Sequence, residues 1–185
     1  MKKVLVVYYS QTGQLTQLVE NVTKPLRESA TVELTFHEIK PKKPYPFPWQ
    51  FMTFMDTFPE SVYLDPCELE SPVRDENDYD LVILAYQVWF LSPSIPVTSF
   101  LKSNYAKEKL ANKPVITLIG CRNMWIMAQE KMKTLLGNIG AKLIDNIVLV
   151  DQGSSLATFI TTPRWMMSGK KDALWGMFPK AGISE

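Results

Sequence analysis

The sequence contains few of the residues that hold structural metal ions or disulfide frameworks. Its 185 residues include two cysteines, Cys67 and Cys121, which do not form a CxxC pair, and one histidine, His37. Because a structural zinc site takes about four such ligands, no metal site is predicted. Two isolated cysteines also argue against a disulfide framework, so a reduced cytoplasmic protein is the simplest interpretation.

The sequence has neither an excess of charge nor a long apolar run. Twenty Lys and Arg residues balance nineteen Asp and Glu residues, which leaves a net charge of +1. A nucleic-acid-binding face would be strongly basic, so no nucleic-acid partner is expected. No segment approaches the roughly eighteen apolar residues that a membrane-spanning helix needs, so no membrane span is expected. The apolar run over residues 4–9 is also too short for the hydrophobic region of a signal peptide.

The common phosphate-binding and nucleophile motifs are missing as well. The chain has no GxxxxGK(S/T) loop, no GxGxxG fingerprint and no GxSxG elbow. It has instead an apolar run, residues 4–9, which stops at residues 10–14 and is followed by an amphipathic helical pattern. The predicted order is therefore a strand, a hydroxyl-rich loop and the start of a helix. Backbone N–H groups at a helix start have no helical acceptor and lie at the positive end of the helix dipole, so this arrangement can bind a phosphate.

Hydroxyl groups and a glycine in this loop strengthen the phosphate hypothesis. Ser10, Thr12 and Thr16 add hydroxyl donors, and Gly13 lets the backbone approach an anion closely. The alternative is that residues 10–12 only cap the helix, as Ser and Thr often do. The residues predicted to bind the phosphate are Ser10, Gln11, Thr12, Gly13, Gln14, Leu15 and Thr16.

Five apolar segments that alternate with helical patterns predict an α/β fold. We expect a single three-layer, doubly wound domain over residues 1–185, with a five-stranded parallel sheet of order 2-1-3-4-5. In such a sheet the ligand lies beyond the carboxyl ends of strands one, three and four. In this sequence those ends carry the segments SQTGQ, QVWFL and GCRNMW. The expected strands cover residues 4–9, 31–39, 79–86, 114–119 and 141–150.

Two apolar segments are additions to a minimal fold of this kind. An aromatic insertion at residues 41–70 carries phenylalanines at helical spacing. It is either part of the core or a lid and substrate wall over the carboxyl ends of the strands. An apolar extension covers residues 154–185, and Pro163 is expected to interrupt any helix there. The extension packs back on the domain, forms a homodimer surface or closes the site.

The phosphate loop resembles that of the flavodoxin fold family, and the resemblance extends over residues 1–153. Residues 10–14 are similar to the family pattern S/T-x-T-G-N/x-T, with Leu15 in place of the last threonine. That change removes one expected hydroxyl, although the backbone N–H of Leu15 remains. The resemblance implies that the bound phosphate is that of flavin mononucleotide (FMN).

The segment after the third strand resembles the family's P-x-W-W/F-G segment beside the flavin ring. Gln87 stands in place of the proline and Leu91 in place of the glycine, and the larger Leu91 is expected to narrow the flavin site. The resemblance implies that Trp89 stacks on the ring and that backbone N–H groups reach the ring's polar edge. The implied ring-binding residues are Gln87, Val88, Trp89, Phe90, Gly120, Cys121, Arg122, Asn123 and Trp125.

The resemblance implies an FMN-binding oxidoreductase. Small flavin proteins that only carry electrons are usually strongly acidic, so the near-neutral charge favours an enzyme. Arg122 is the candidate catalytic residue, because a guanidinium beside the ring would stabilise an anionic, two-electron-reduced flavin. The alternative for Arg122 is a surface residue or a structural ion pair. We therefore expect NADH or NADPH as the electron donor and a quinone-like or aromatic small molecule as the acceptor.

Other interpretations of the same residues stay open at this point. The segments CRNMW and TPRWMMSGKK resemble bacterial proteins described as dialkylresorcinol-condensing enzymes, which implies a non-redox role in aromatic polyketide formation. A flavodoxin-like binding or accessory protein without a cofactor would also explain the departures at Leu15, Gln87 and Leu91. Cys121 is either a buried small residue or a thiol nucleophile near a cation.

Overall fold

The computed structural model describes residues 1–72, 76–151, 155–170, 172 and 183. Helices and strands alternate along most of the chain, as the sequence pattern predicts. The strands are β1 (Lys2–Tyr8), β2 (Val32–Glu38), β3 (Leu81–Trp89), β4 (Ser92–Pro93), β5 (Pro114–Cys121) and β6 (Lys142–Val150). The helices are α1 (Gln14–Arg27), α2 (Phe51–Tyr63), α3 (Ile95–Leu101), α4 (Asn104–Leu110), α5 (Ile126–Asn138) and α6 (Ser155–Ser168).

Five long parallel strands form the sheet in the order β2-β1-β3-β5-β6. In this register Val4 of β1 lies opposite Leu34 of β2 and Leu81 of β3. The predicted α/β class and the parallel arrangement of the long strands are confirmed. The five parallel strands follow the predicted spatial order, and the expectation differs from the structure only in the number of strands and therefore in their numbering. The two-residue strand β4 pairs antiparallel with β3, so the sheet has six strands and the long ones follow the order 2-1-3-5-6.

Strand β4 forms because the chain reverses after Trp89 through two residues with left-handed backbone. Phe90 has φ 48° and Leu91 has φ 58°. Two consecutive positive φ values match the tight hairpin turn that follows the twist of its strands, a turn usually made by Asn and Gly. With two bulky residues at these positions, the sequence carries no such signal, and the hairpin was not predicted.

The burial of the central strands explains the layered arrangement. Residues 4–7 of β1 and 82–85 of β3 are almost completely buried, as expected for parallel strands covered on both faces. Helix α1 covers one face, where Leu15, Leu18 and Val19 contact the sheet. The core on the opposite face includes side chains from α3, α4 and α5, namely Val97, Phe100, Leu101, Ala106, Leu110, Ala128, Met132, Leu135 and Leu136.

The insertion and the extension both contain a helix. The phenylalanine spacing of the insertion predicted α2, whereas Pro163 lies inside α6 without ending it. The expected interruption at Pro163 is therefore wrong. A proline removes one backbone hydrogen bond, and α6 continues to Ser168 in spite of this loss. The later apolar residues of the extension, Trp175, Met177 and Phe178, lie outside the described residues.

Candidate functional site

A cavity of about 330 Å³ opens beyond the carboxyl ends of β1, β3 and β5. This is the edge of the sheet where α/β proteins bind ligands, and the volume lies within the range of roughly 300–1,000 Å³ typical of small-molecule sites. The lining residues are Gln11, Thr12, Gln14, Leu15, Leu18, Phe47, Trp49, Phe54, Gln87, Val88, Trp89, Phe90, Gly120, Cys121, Arg122, Asp151, Thr162, Trp165, Met166 and Ile183.

The loop between β1 and α1 presents backbone donors to one end of this cavity. Gly13 has φ 80° and precedes the first helical residue, Gln14. Among the described residues, none accepts a hydrogen bond from the N–H of Gln14 or Leu15. The next N–H, that of Thr16, donates to Ser10 Oγ at 3.3 Å. The first turn of α1 also contains no acidic residue, so the helix start can accept an anion.

The side chains of this loop have structural contacts as well. Gln11 Nε2 donates to the carbonyl oxygen of Pro46 at 2.8 Å, and Gln14 Nε2 donates to that of Ile183 at 3.3 Å. The loop is thus tied to the aromatic insertion and to the C-terminal extension. Thr12 lines the cavity, whereas Ser10, Gly13 and Thr16 do not.

The side chain of Leu15 belongs to the apolar core beside the sheet. It is buried in the core under α1, where its Cδ1 atom approaches Gly120 of β5. The replacement of the usual threonine by Leu15 therefore removes a hydroxyl and places a buried apolar residue in the cavity lining. Leu91 is partly exposed and does not line the cavity either. The expectation that Leu91 narrows the site is wrong, because the hairpin turn carries this residue outward.

Trp89 lies at the centre of an aromatic wall on one side of the cavity. Tyr9, Tyr45 and Trp49 pack against its ring in T-shaped geometry, with centroid distances of 5.9, 5.0 and 5.5 Å. Edge-to-face pairs of this kind are favourable and fix the orientation of the ring. Burial raises the pKa of Tyr9 and of Tyr45 above the ordinary value, so both hydroxyls stay neutral near pH 7.

The insertion and α6 together cover the cavity, and we call this cover the roof. The backbone N–H of Trp49 donates to the carbonyl oxygen of Met166 at 2.8 Å. The rings of Phe47 and Trp165 pack at 5.5 Å in T-shaped geometry. Two segments more than one hundred residues apart in the chain thus form one surface over the carboxyl ends of the strands. The roof consists of Phe47, Trp49, Phe54, Thr162, Trp165 and Met166.

The carboxyl end of β5 and the loop after it contribute only some of their predicted residues to the cavity lining. Gly120, Cys121 and Arg122 line the cavity, whereas Asn123 and Trp125 do not. Cys121 is buried, and burial raises the pKa of its thiol to about 11. A thiol of this kind is a poor nucleophile near pH 7, which favours the buried-residue interpretation of Cys121.

Arg122 and Asp151 bring opposite charges to the cavity wall. Both are half-buried, and the N–H of Asp151 donates to the carbonyl oxygen of Cys121 at 3.1 Å. This bond continues the β5–β6 pairing beyond the end of β6 and holds Asp151 next to the third loop. Asp151 was not predicted as a site residue, because it follows the edge strand.

Several other lining residues were missed. Phe47, Trp49 and Phe54 belong to the aromatic insertion, for which a wall role was one of two hypotheses. Leu18 was assigned to the core only. For the residues of α6 and for Ile183, no local pattern in the sequence indicates proximity to strands that lie far away in the chain.

Two features are absent from the residues that the structure describes. No three or more His, Cys, Asp or Glu side chains within that part of the chain gather in an arrangement suited to a metal ion. None of the helices in the same residues combines the length and the apolar character needed to cross a membrane.

The structure is similar to solved flavoproteins. One, a flavoprotein from Lactobacillus acidophilus NCFM in complex with FMN, has a TM-score of 0.63 and 20% identity, over 80% of this chain and 93% of that chain. A candidate flavoprotein from Bacteroides uniformis ATCC 8492 has a TM-score of 0.64 and 19% identity, over 80% and 90% of the two chains. Another from Bacteroides eggerthii DSM 20697 has a TM-score of 0.62 and 17% identity, over 80% and 89%.

Comparisons of the sequence alone give no match, either to a family model or to a curated protein. The assignment therefore depends on the structure. The parallel strands run in the order β2-β1-β3-β5-β6, and the first loop leads into a helix at the carboxyl edge of the sheet. Together with the likeness to the solved flavoproteins, this arrangement identifies the fold of the chain as flavodoxin-like.

Proposed function

We propose that this chain is an FMN-binding oxidoreductase that reduces a quinone-like or aromatic acceptor by two electrons, with NADH or NADPH as the donor. The observation that carries the proposal is the cavity itself. It is lined by Gln14 and Leu15, whose N–H groups have no acceptor among the described residues, and by the aromatic residues around Trp89. A molecule with an anionic end and a flat aromatic end suits this arrangement, and the Lactobacillus acidophilus flavoprotein of similar fold is a complex with FMN.

The residues present fit the two ends of FMN. The phosphate would be held by the N–H groups of Gln14 and Leu15 and by the Thr12 hydroxyl, at the positive end of the α1 dipole. The ring would lie against Trp89, whose orientation is fixed by its packed neighbours. FMN supplies the hydride chemistry when bound, and the overall reaction is acceptor + NAD(P)H + H⁺ → reduced acceptor + NAD(P)⁺.

Arg122 has the role of a fixed positive charge on the cavity wall. A guanidinium at this position stabilises negative charge that develops nearby and thereby favours two-electron reduction. We expect Arg122→Ala to retain FMN but to make its reduction potential more negative, and Arg122→Lys to recover most of the shift. An unchanged potential in Arg122→Ala would remove Arg122 from the mechanism.

The first experiment is a visible absorption spectrum of the purified protein, followed by titration of the colourless fraction with FMN and with riboflavin. Tight binding of FMN and much weaker binding of riboflavin are expected, because only FMN offers a phosphate to the loop. Absence of a flavin spectrum together with no binding of added FMN would overturn the proposal. A protein that binds FMN is then assayed for NADH- and NADPH-dependent reduction of 2-methyl-1,4-naphthoquinone.

A pair of threonine variants tests the phosphate end of the site. Thr12→Val is expected to weaken FMN binding by about 10- to 100-fold, since a hydrogen bond to a charged group contributes roughly 1.5–3 kcal/mol. Riboflavin binding should not change. Thr16→Val is the matched control, because Thr16 lies in the first turn of α1 beside the same loop but does not line the cavity. Equal losses in both variants would contradict the assignment of the phosphate to the Thr12 side.

A further inference from the structure

Helix α2 carries an exposed apolar surface that its packing does not explain. Phe51, Met55, Phe58 and Val62 are exposed by 65%, 47%, 48% and 36%. Their spacing of four, three and four residues places them on one side of the helix, over a length of roughly 17 Å. We call these four residues the α2 stripe.

The side of α2 that is buried lies roughly a quarter-turn from the stripe and carries small polar residues. Its buried residues are Thr57 and Ser61, whose side chains are 4% and 1% exposed. A surface helix normally buries its apolar side and exposes its polar side. In α2 the two buried residues are small hydroxyl residues, whereas the phenylalanines and the methionine of the stripe are exposed; Phe54 is half-buried and lines the cavity. Exposed apolar surfaces of this kind mark binding sites.

The α2 stripe is continuous with the wall of the cavity. Phe54 and Phe90 both line the cavity, and their rings pack at 4.7 Å. The ring of Phe58, which belongs to the stripe, packs edge-on against the same Phe90 at 5.1 Å. The far end of the helix is held in place by Lys131, whose Nζ donates to the carbonyl oxygen of Val62 at 3.1 Å. An apolar path therefore leads from inside the cavity along a fixed helix.

We infer that the acceptor carries a hydrocarbon tail, which lies along the α2 stripe while the flat head of the molecule occupies the cavity. The inference rests on the proposed function, and it narrows the substrate class to alkyl- or isoprenoid-substituted quinones and related aromatics. A hydrocarbon chain has no charge and no hydrogen-bonding groups, so it matches a stripe made of phenylalanine, methionine and valine.

Two other occupants of the stripe fit the surroundings less well. Asp56 and Glu60 lie on the side of the same helix away from the stripe, and α2 carries no basic residue that would attract an anionic membrane surface. A contact between two copies would need about 800 Å² from each. At the observed exposures the four side chains offer roughly 400 Å², taking about 200 Å² for a fully exposed large side chain. Met52 and Tyr63 are also exposed, but they lie roughly a quarter-turn around the helix from the stripe and are not counted in this area.

The length of the tail sets the expected gain in affinity. A methylene group that is fully buried strengthens binding about fourfold, and one that lies on an open surface gains about twofold. A hexyl tail is therefore expected to strengthen binding by about 50-fold. The effect should be present in the dissociation constant as well as in KM, since it arises from contacts outside the cavity.

The test compares 2-methyl-1,4-naphthoquinone with its 3-hexyl homologue on the protein as purified. Dissociation constants are measured by tryptophan fluorescence quenching and KM by steady-state reduction. The variant Phe51→Gln/Met55→Gln should reduce the 50-fold preference for the hexyl compound to less than fivefold, without changing the binding of the short compound. Neither residue lines the cavity. Ile144→Gln is the control, because Ile144 is 59% exposed on β6, at the edge of the sheet, and should leave the preference intact.

The outcomes separate this inference from the proposed function. Reduction of both quinones without any preference for the hexyl compound would refute the tail site and leave the reductase standing. A preference in binding without bound FMN and without reduction would support the tail site and overturn the redox function. Light scattering adds one more outcome: a dimer that the double variant dissociates, with the preference unchanged, would assign the stripe to self-association and refute the inference.

Discussion

Gly120 offers the sharpest test of how α1 is positioned above the sheet. A Cβ atom at this position would lie 3.0 Å from Leu18 Cδ1 and 3.2 Å from Leu15 Cδ1, whereas ordinary contacts are 3.4–4 Å. The backbone of Gly120 does not have a positive φ. Gly120→Ala therefore acts through steric contact alone, and both neighbours that must move are side chains of α1, the helix that begins beside the cavity.

The expected loss of stability follows from two opposing effects. Overpacking a dense core by one methyl group destabilises by about 1–3 kcal/mol. The alanine also restricts the unfolded chain, which returns roughly 0.4–1 kcal/mol. We therefore expect Gly120→Ala to lower the free energy of unfolding by about 1–2 kcal/mol, measured by urea denaturation and tryptophan fluorescence.

Gly137 is the matched control for this experiment. It lies in α5 and has no atom within 4 Å of the Cβ position, so Gly137→Ala should stabilise the protein by up to about 1 kcal/mol through helix propensity. A second control removes the closer of the two contacts, because Leu18→Val takes away the Cδ1 atom that lies 3.0 Å from the new Cβ. The double variant should be more stable than the sum of the single changes predicts.

The same substitution is expected to weaken FMN binding more than riboflavin binding. We expect relief of the contact to shift the Leu15 and Leu18 side chains, and α1 with them, by a few tenths of an ångström, which displaces the N–H groups of Gln14 and Leu15. The reasoning is refuted if Gly120→Ala is as stable as the unmodified protein, or if its effect is additive with that of Leu18→Val.

Three further predictions concern groups around the sheet. Gln129→Met should lower the free energy of unfolding by about 2 kcal/mol, because it removes two buried hydrogen bonds. The Tyr86 hydroxyl donates to Gln129 Oε1 at 2.7 Å, and Gln129 Nε2 donates to Thr117 Oγ1 at 3.1 Å. A loss below about 0.5 kcal/mol in urea denaturation would contradict this prediction. Burial raises the pKa of Cys121 to about 11, so its alkylation at pH 8 should be at least about 100-fold slower than that of an ordinary thiol, as followed by mass spectrometry. The alkylation rate of Cys121 should then increase as the pH is raised towards 11. A hydrogen bond from Lys2 lowers the pKa of Asp80, so this carboxylate stabilises the fold above its ordinary pKa of 3.8 and loses that effect as the pH falls. Asp80→Asn should therefore flatten the decline of Tm below about pH 4. An unchanged decline would contradict the assignment.

The parts of the fold that could be predicted depend on local periodicity. The stripe of Leu15, Leu18 and Val19 predicts a helix against a sheet, and the unbroken apolar run at residues 81–85 predicts a strand buried on both faces. Such patterns arise because one side of each element must be buried. The strand–loop–helix arrangement at residues 4–14 also predicted which loop would meet the cavity.

The rest depends on contacts that leave no local trace in the sequence. The turn at Phe90 and Leu91 has the geometry of a glycine turn without the glycine, so the antiparallel strand β4 was missed. Pro163 has a strong local meaning as a helix breaker, but the tertiary environment of α6 overrides it. Trp165 and Met166 reach the site only because α6 packs against the insertion.

The bond between Trp49 N–H and the Met166 carbonyl makes one amide proton a reporter of that packing. Trp49 is buried and precedes α2, so its N–H has this carbonyl rather than a helical partner as its acceptor. Its exchange with deuterium requires α6 to separate from the insertion. The exchange rate of this single amide therefore measures the free energy of that separation, and its slowing on addition of FMN or of a quinone would measure how strongly each ligand holds the two segments together.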